Sequence, residues 1–472
     1  MDEPTPYSDP FRLQPQPLFS LTLEERMRHV YVGGKSGVGK STLLYNLAAA
    51  DIEAGHGVCF IDPHGDEVER LLDAIPKARI NDVIHFNVAD RDFPVAFNPV
   101  AGVPEDERPR RISNLVSSFA HVWHDAWGHS TEQITRNAIA TLVSTPGMSL
   151  VALPRLLTDP QFRSGLVSRV TDPVVRAYWR DQFDAYKDDQ RNQKIAPVLN
   201  KAEELIAEPH LRNILAAGSN TIEPRTIIDG RKILLVNLAK GLIGESACNI
   251  LGCILLSLLG SASLARRDQL EDEREPFFSF VDEAHNFATT ALVSQLAELR
   301  KYRYALLLAS QFLDQLSEPV RDAILGVAGS LVVFEVSPAD ADLLSPHFGH
   351  LDSSELAVQS VGHAWVKRKD SFDAYSGSTR AALKLPEREL RNAGNREAVI
   401  ARSRRVYAQP KSKIDALMYR YFSSAPRLTN TGSSVSRLST RRTSSRNRSV
   451  VRLTRQKPAP LKRSSKTNLQ RN

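Results

Sequence analysis

Eight residues constrain this chain more than any others. Gly34, Lys35, Ser36, Gly37, Val38, Gly39, Lys40 and Ser41 fit the pattern G-x-x-x-x-G-K-[ST]. An apolar run, RHVYVGG (28–34), leads into them, and residues 41–54 follow with apolar positions at helical spacing up to Gly55. A strand that runs through glycines straight into a helix is one unit of a parallel α/β sheet. The spacing has a chemical reason. Glycines let the backbone curl so that its N–H groups face phosphate oxygens. The helix adds the positive end of its dipole. Lys40 then reaches the β- and γ-phosphates, and the Ser41 hydroxyl is a magnesium ligand. Residues 34–41 with Thr42 are therefore the expected ATP-binding segment, with Mg2+ as the accompanying ion. A chance glycine-rich turn is the alternative, but a random match in a chain of this length has odds of about 1 in 100.

The rest of the chain supports a sheet around that loop. VCFID (58–62) and VIHFNV (83–88) read as further strands, and so do 232–238, 277–282, 304–309, 331–336 and 363–367. Each is short and apolar, as strands covered on both faces are. Between 104 and 215 the signals are helical. Ile112, Leu115, Val116, Phe119, Val122 and Trp123 fall on one helical face, and Asp172-Pro173 reads as a cap with a first-turn proline. The expected organisation is a Pro-rich leader (1–24), a first α/β part (25–103), an all-helical insertion (104–220), a second α/β part (221–410) and a tail (424–472).

Charge separates the tail from the body. Residues 424–472 hold 13 Lys/Arg and no acid, which leaves about −6 of the formal +7 on residues 1–423. With few apolar residues to bury, the tail is expected to be disordered and to hold nucleic acid or another acidic partner. Three cysteines, Cys59, Cys248 and Cys253, give no disulfide framework and fit a reducing, cytoplasmic setting. No signal peptide is expected, since the first 20 residues carry five prolines and no basic-then-apolar pattern. Residues 246–265 carry no charge and are long enough to span a bilayer. They also contain Asn249 and four serines after a strand-like segment, so they are read as a buried helix.

A second group of residues adds chemistry to the loop. FFSFVDEAHNF (277–287) is a hydrophobic strand ending in Asp282-Glu283. Ligands sit at the carboxyl ends of parallel strands, so these acids lie beside the phosphate loop if their strands are neighbours. Asp282 would join Ser41 as a metal ligand, and Glu283 would act as general base on water. A water-activating glutamate would defeat a small-molecule kinase, which must exclude water. ALLLASQ (305–311) ends a further strand at Gln311, whose amide can sense a γ-phosphate. Arg300, in LRKYR (299–303), reads either as a basic helix end favoured by the dipole or as an arginine finger for a neighbouring subunit. Asp62, in FIDPHGD (60–66), reads either as a site-edge acid or as a turn residue before Pro63. The cluster His121, His124, Asp125 and His129 is interleaved with Trp123 and Trp127, so it reads as a packed helix end rather than a metal site.

The ordered set YVGGKSGVGKSTLL, FIDPHGD, FNPV (97–100), ILLVNLAKG (233–241), FVDEAHNF, LAELRKYRYALLLASQ and AILGVAGSLVVFEV (323–336) resembles the HerA–FtsK superfamily. Within it, the likeness is closest to conjugative, type IV secretion coupling ATPases of the TraG/TraD type, over residues 25–370. The resemblance implies a RecA-like motor sheet interrupted by an all-helical domain, and a hexamer that threads DNA at the expense of ATP. It also implies catalytic roles for Lys40, Glu283, Gln311 and Arg300, with a relaxase or secretion-channel proteins as partners. Membrane-bound members carry an N-terminal transmembrane pair. Only about 27 residues with no apolar span precede the first strand here, so no direct membrane span is expected. Two other functions fit the same motifs: a HerA-like translocase in DNA processing or defence, and an ATP-binding assembly scaffold that does not pump DNA.

Overall fold

Apolar runs of four to seven residues become the first seven strands of one sheet in the computed structural model, which describes residues 21–349, 351–368, 379–381 and 395–423. The strands are β1 (Val30–Gly33), β2 (Gly57–Asp62), β3 (Val83–Asn87), β4 (Ile233–Asn237), β5 (Phe277–Val281), β6 (Tyr304–Ser310), β7 (Ser330–Val333), β8 (Ala364–Arg368) and the short β9 (Thr379–Ala381). Their order is β3-β4-β2-β5-β6-β1-β7-β8-β9. The pairings from β3 to β7 are parallel, and β8 and β9 close one edge antiparallel. All eight strands expected from sequence are present, with ends shifted by a residue or a few, and β9 is added.

Alternate residues along the parallel strands β1–β7 enter opposite cores, as the two-residue pleat requires. Val30, Val32, Val58, Phe60, Leu235, Phe280 and Leu307 pack on one side with Leu44 and Ala48 of helix α1 (Lys40–Glu53) and Leu71 of α2 (Asp66–Ala74). Tyr31, Cys59, Ile61, Leu234, Val236, Leu306 and Leu308 face the other side.

That second side receives the helical segment. From Glu105 to Leu215 every described regular element is helical. Helix α3 (Arg108–Val122) buries Leu115, Val116 and Phe119, the face read from sequence. Asp172 caps the helix that starts at Pro173 by accepting the Val174 N–H. Helix α4 (His129–Val143) is tied to a π-turn by Trp179 Nε1, which donates to Thr141 Oγ1 at 2.8 Å. Trp123 stacks against Phe119, with centroids 4.3 Å apart, within the packed end of α3. Side chains of α3 and α4 share one continuous apolar cluster with the strand residues, so the helical segment is built onto the sheet.

Between them lies α5 (Glu245–Leu264), the uncharged stretch of the sequence. Among the described residues it is the one helix long and apolar enough to cross a membrane, yet 83% of its apolar window is buried within the fold. Its burial follows from having apolar residues all round, with α3 on one side and α6 (Thr290–Leu299) on another. The three cysteines are all buried and unpaired. The last helices are α7 (Asn395–Tyr407), which buries Val399 in the first core, and α8 (Lys411–Ser423). The Pro-rich leader up to residue 20 and the basic tail from 424 lie outside the described residues. Residues 22–26, which the sequence partly assigns to the leader, form a capped turn. Thr22 and Glu25 form a reciprocal capping box on the turn Leu23–Arg26.

Candidate functional site

The phosphate loop leaves the buried strand β1 and closes on Gly39, which precedes α1. Gly37 and Gly39 have φ of 78° and 117°, in the left-handed region that side chains disfavour. Gly34 is fixed by space: a Cβ there would fall 2.8 Å from Phe334 Cβ and 2.9 Å from Val38 Cγ2. The first helical bond of α1 runs from the Leu43 N–H to the Gly39 carbonyl. The N–H groups of Lys40, Ser41 and Thr42 therefore have no acceptor within the helix and form its anion-facing end. The loop is braced from outside. Lys35 donates from its backbone N to the Glu335 carbonyl at 2.8 Å, and its Nζ pairs with Glu335 Oε1 at 2.6 Å. Gly362 N–H donates to the Val38 carbonyl at 3.0 Å. Lys40 Nζ lies along the loop and donates to the Lys35 carbonyl at 2.7 Å.

The acidic pair reaches the loop although its strand is not a neighbour of β1: β6 lies between them. Register explains how. Val281 pairs with Leu308 and Gly33 with Ser310, so β5 and β1 end within two residues of each other along β6. α1 then starts across the end of β6, and Ser41 Oγ donates to Asp282 Oδ2 at 2.7 Å. Asp282 Oδ1 accepts the Glu283 N–H at 3.0 Å. Burial raises the Asp282 carboxyl above its usual range, opposed by the Ser41 hydrogen bond and by Lys40. Burial likewise lowers Lys40, opposed by Asp282 and Glu283. Each group is costly to desolvate alone, and each offsets part of the other's cost.

Glu283 sits at φ 47°, an uncommon left-handed position for a side-chain residue. Its Oε2 accepts from Asn286 Nδ2 at 3.2 Å, and its Oε1 lies 3.6 Å from His64 Nε2. The turn is pinned to α5, because Cys253 Sγ donates to the Asn286 carbonyl and a Cβ on Gly252 would collide with the Phe287 ring.

Ser36, Lys40, Thr42, Asp282, Glu283 and Gln311 border one cavity of about 650 Å³. Gln311 follows β6, whose end is held by Tyr31 Oη and Ser310 Oγ at 2.6 Å. Arg300 is not brought to this cavity. It is exposed at the opposite end of β6, about 20 Å away given the rise per residue of that seven-residue strand. His29 fixes that far end: Leu306 N–H donates to Nδ1 at 3.0 Å, leaving Nε2 to donate to the Leu296 carbonyl at 2.9 Å. Burial holds this imidazole neutral, down to about 4. Asp62 does not face the cavity as a free acid. Its Oδ1 accepts the His64 N–H, and its Oδ2 accepts those of Glu67 and Val68. Sequence reasoning does not find the cavity residues His64, Val361, Gly362 and His363. His64 stands inside the FIDPHGD motif, which was the available signal. Val361 and Gly362 carry no local signal and His363 reads only as the start of a strand, because the segment arrives through the β7–β8 connection.

A family model described as the type IV secretion-system coupling protein DNA-binding domain matches residues 17–404. No curated protein matches the chain in sequence. Among solved structures, the bacterial conjugative coupling protein TrwBdeltaN70 superposes with a TM-score of 0.56 at 15% identity, covering 73% of this chain and 82% of that one. The plasmid coupling protein TrwB in complex with ADP and Mg2+ superposes with a TM-score of 0.55 at 16% identity, covering 73% and 83%. VirB4 of Thermoanaerobacter pseudethanolicus gives 0.52 at 15% identity, covering 74% and 90%. At these identities the structural likeness speaks to the fold, which is the RecA-like sheet that the family resemblance implies.

Proposed function

The chain belongs to the family of type IV secretion-system coupling protein DNA-binding domains, and from that premise we propose that it is an ATP-hydrolysing motor that moves DNA. The observation that carries the reading is the 2.7 Å contact between Ser41 Oγ and Asp282 Oδ2, with Glu283 bordering the same cavity. These two oxygens are hard donors of the kind magnesium takes, and magnesium needs few protein ligands because it keeps waters and phosphate oxygens. When bound, the ion would neutralise charge on the phosphates. Residues 34–42 would cradle the phosphates of ATP, with the Lys40 ammonium swinging from the Lys35 carbonyl to them. Glu283 would orient and deprotonate the attacking water. Gln311 would read the γ-phosphate.

Arg300 would act in a neighbouring subunit. Its distance from its own loop suits a group that serves a site in trans, which makes an oligomer, by family a hexamer, the working form. The proposed organisation is a motor sheet from 25–103 and 221–410 carrying the helical insertion 104–220. The proposed setting is the cytoplasm, supported by three unpaired cysteines. A relaxase or secretion-channel protein is the proposed partner, and the basic tail a further DNA contact.

The test is ATP turnover by the assembled oligomer with and without single- and double-stranded DNA. DNA-stimulated turnover is expected. Tight ATP binding with no turnover under any condition would leave an assembly scaffold in its place.

A further inference from the structure

The turn after β2 is tied to three elements by hydrogen bonds and one close contact. Asp62 ties its backbone to the start of α2 through three N–H groups, of His64, Glu67 and Val68, at 2.9–3.2 Å. The Pro63 carbonyl accepts the Lys240 N–H at 2.8 Å. Gly65 has φ 97°, and a Cβ on it would collide with the Asn237 amide. The backbone is thus fixed from β2, α2 and the β4 end together. The side chain this frame carries to the cavity is that of His64, which is 59% exposed. Its Nε2 lies 3.6 Å from Glu283 Oε1, while Asn286 Nδ2 holds the other Glu283 oxygen at 3.2 Å. One carboxylate oxygen thus accepts a hydrogen bond from Asn286, and the other faces the His64 ring nitrogen across a gap.

We propose that His64 is a positioning residue for Glu283, donating from Nε2 to Oε1 when the site closes on ATP and aiming the carboxylate at the water. The inference rests on the hydrolytic reading of Glu283. The gap of 3.6 Å exceeds a hydrogen bond, but a small rotation of an exposed ring closes it, and the fixed backbone keeps the ring within that reach. The arrangement orients a base without touching the nucleotide, so its effect belongs to kcat rather than to ATP affinity.

The experiment compares His64→Ala, His64→Gln and His64→Asn in the full chain by steady-state ATP turnover, with melting temperature and ATP binding as controls for folding. His64→Ala is expected to lower kcat about tenfold or more, with KM within about twofold. His64→Gln keeps most of kcat, because its amide nitrogen reaches the position of Nε2. His64→Asn, whose amide stops short, falls with His64→Ala. Wild-type kcat in His64→Ala, a loss equal in His64→Gln and His64→Ala, or a loss confined to KM would overturn the assignment. Absence of turnover in the wild-type oligomer would overturn the hydrolytic reading itself and the inference with it. Loss in His64→Ala against an active wild type separates the two.

Discussion

Glu283→Gln is expected to lower ATP turnover by about 10² to 10⁴, the range a positioned general base contributes, while ATP binding stays near the wild-type level. The substitution keeps the size of the side chain and an oxygen for Asn286 Nδ2, which donates to Glu283 at 3.2 Å. It leaves untouched the loop, Lys40 and the Ser41–Asp282 contact. Only the capacity to take a proton from water is removed. The same variant tests the subunit arrangement. Arg300→Ala alone is expected to be similarly inactive, since a finger supplied in trans is worth about 10³ to 10⁵ in rate. Mixing Glu283→Gln with Arg300→Ala subunits creates interfaces that pair an intact Glu283 with an intact Arg300, and turnover returns. If the mixture stays as inactive as its components, Arg300 is not a finger for the neighbouring site. Wild-type turnover in Glu283→Gln would remove the glutamate from catalysis.

Lys40→Ala should act on binding instead. The Lys40 ammonium is held below its usual range by burial, and its Nζ has the Lys35 carbonyl as a partner at 2.7 Å. Moving it onto two phosphate groups replaces a neutral acceptor by anions, and charge-assisted hydrogen bonds are about twice as strong as neutral ones. Losing them costs about 3 kcal/mol, or roughly a hundredfold in ATP affinity. Lys40→Arg should not rescue, because a planar fork does not fit where a single point charge follows the curve of the loop. Titration with a fluorescent ATP analogue reads the effect. An affinity within threefold of wild type would mean that the backbone N–H groups hold the phosphates without the lysine.

Much of this site is legible in the sequence, because its parts are local. The octet 34–41 and the DE pair at 282–283 are short-range patterns whose backbone needs are written into glycines and flanking apolar runs. Strands are equally plain, since burial on both faces leaves few polar interruptions. What sequence does not supply is the order of the strands. The expectation that the acids lie beside the loop is tied to β5 and β1 being neighbours, and β6 stands between them. The contact is made anyway, through the register of three strands and the start of α1, which depends on the pairing of Gly33 with Ser310, far apart in the chain. His64 and the 361–363 segment escape the sequence for the same reason: their distance from the cavity is set by pairings of β2 with β5 and of β7 with β8. Asp62 admits two readings from sequence, and only its hydrogen bonds decide that it serves the turn. The helical segment is visible as helices, but its shared core with the sheet is not, because periodicity says which face is buried and not against what.

Whether hydrolysis at this site moves DNA is read most directly from ATP-dependent displacement of a block by the assembled oligomer, with a bound protein on a single strand and a third strand on a duplex. Displacement is expected on at least one of these substrates with ATP and Mg2+. None is expected with a non-hydrolysable ATP analogue, and none with Glu283→Gln. Rapid ATP turnover without displacement of either block, or displacement that persists in Glu283→Gln, would contradict a hydrolysis-driven DNA motor.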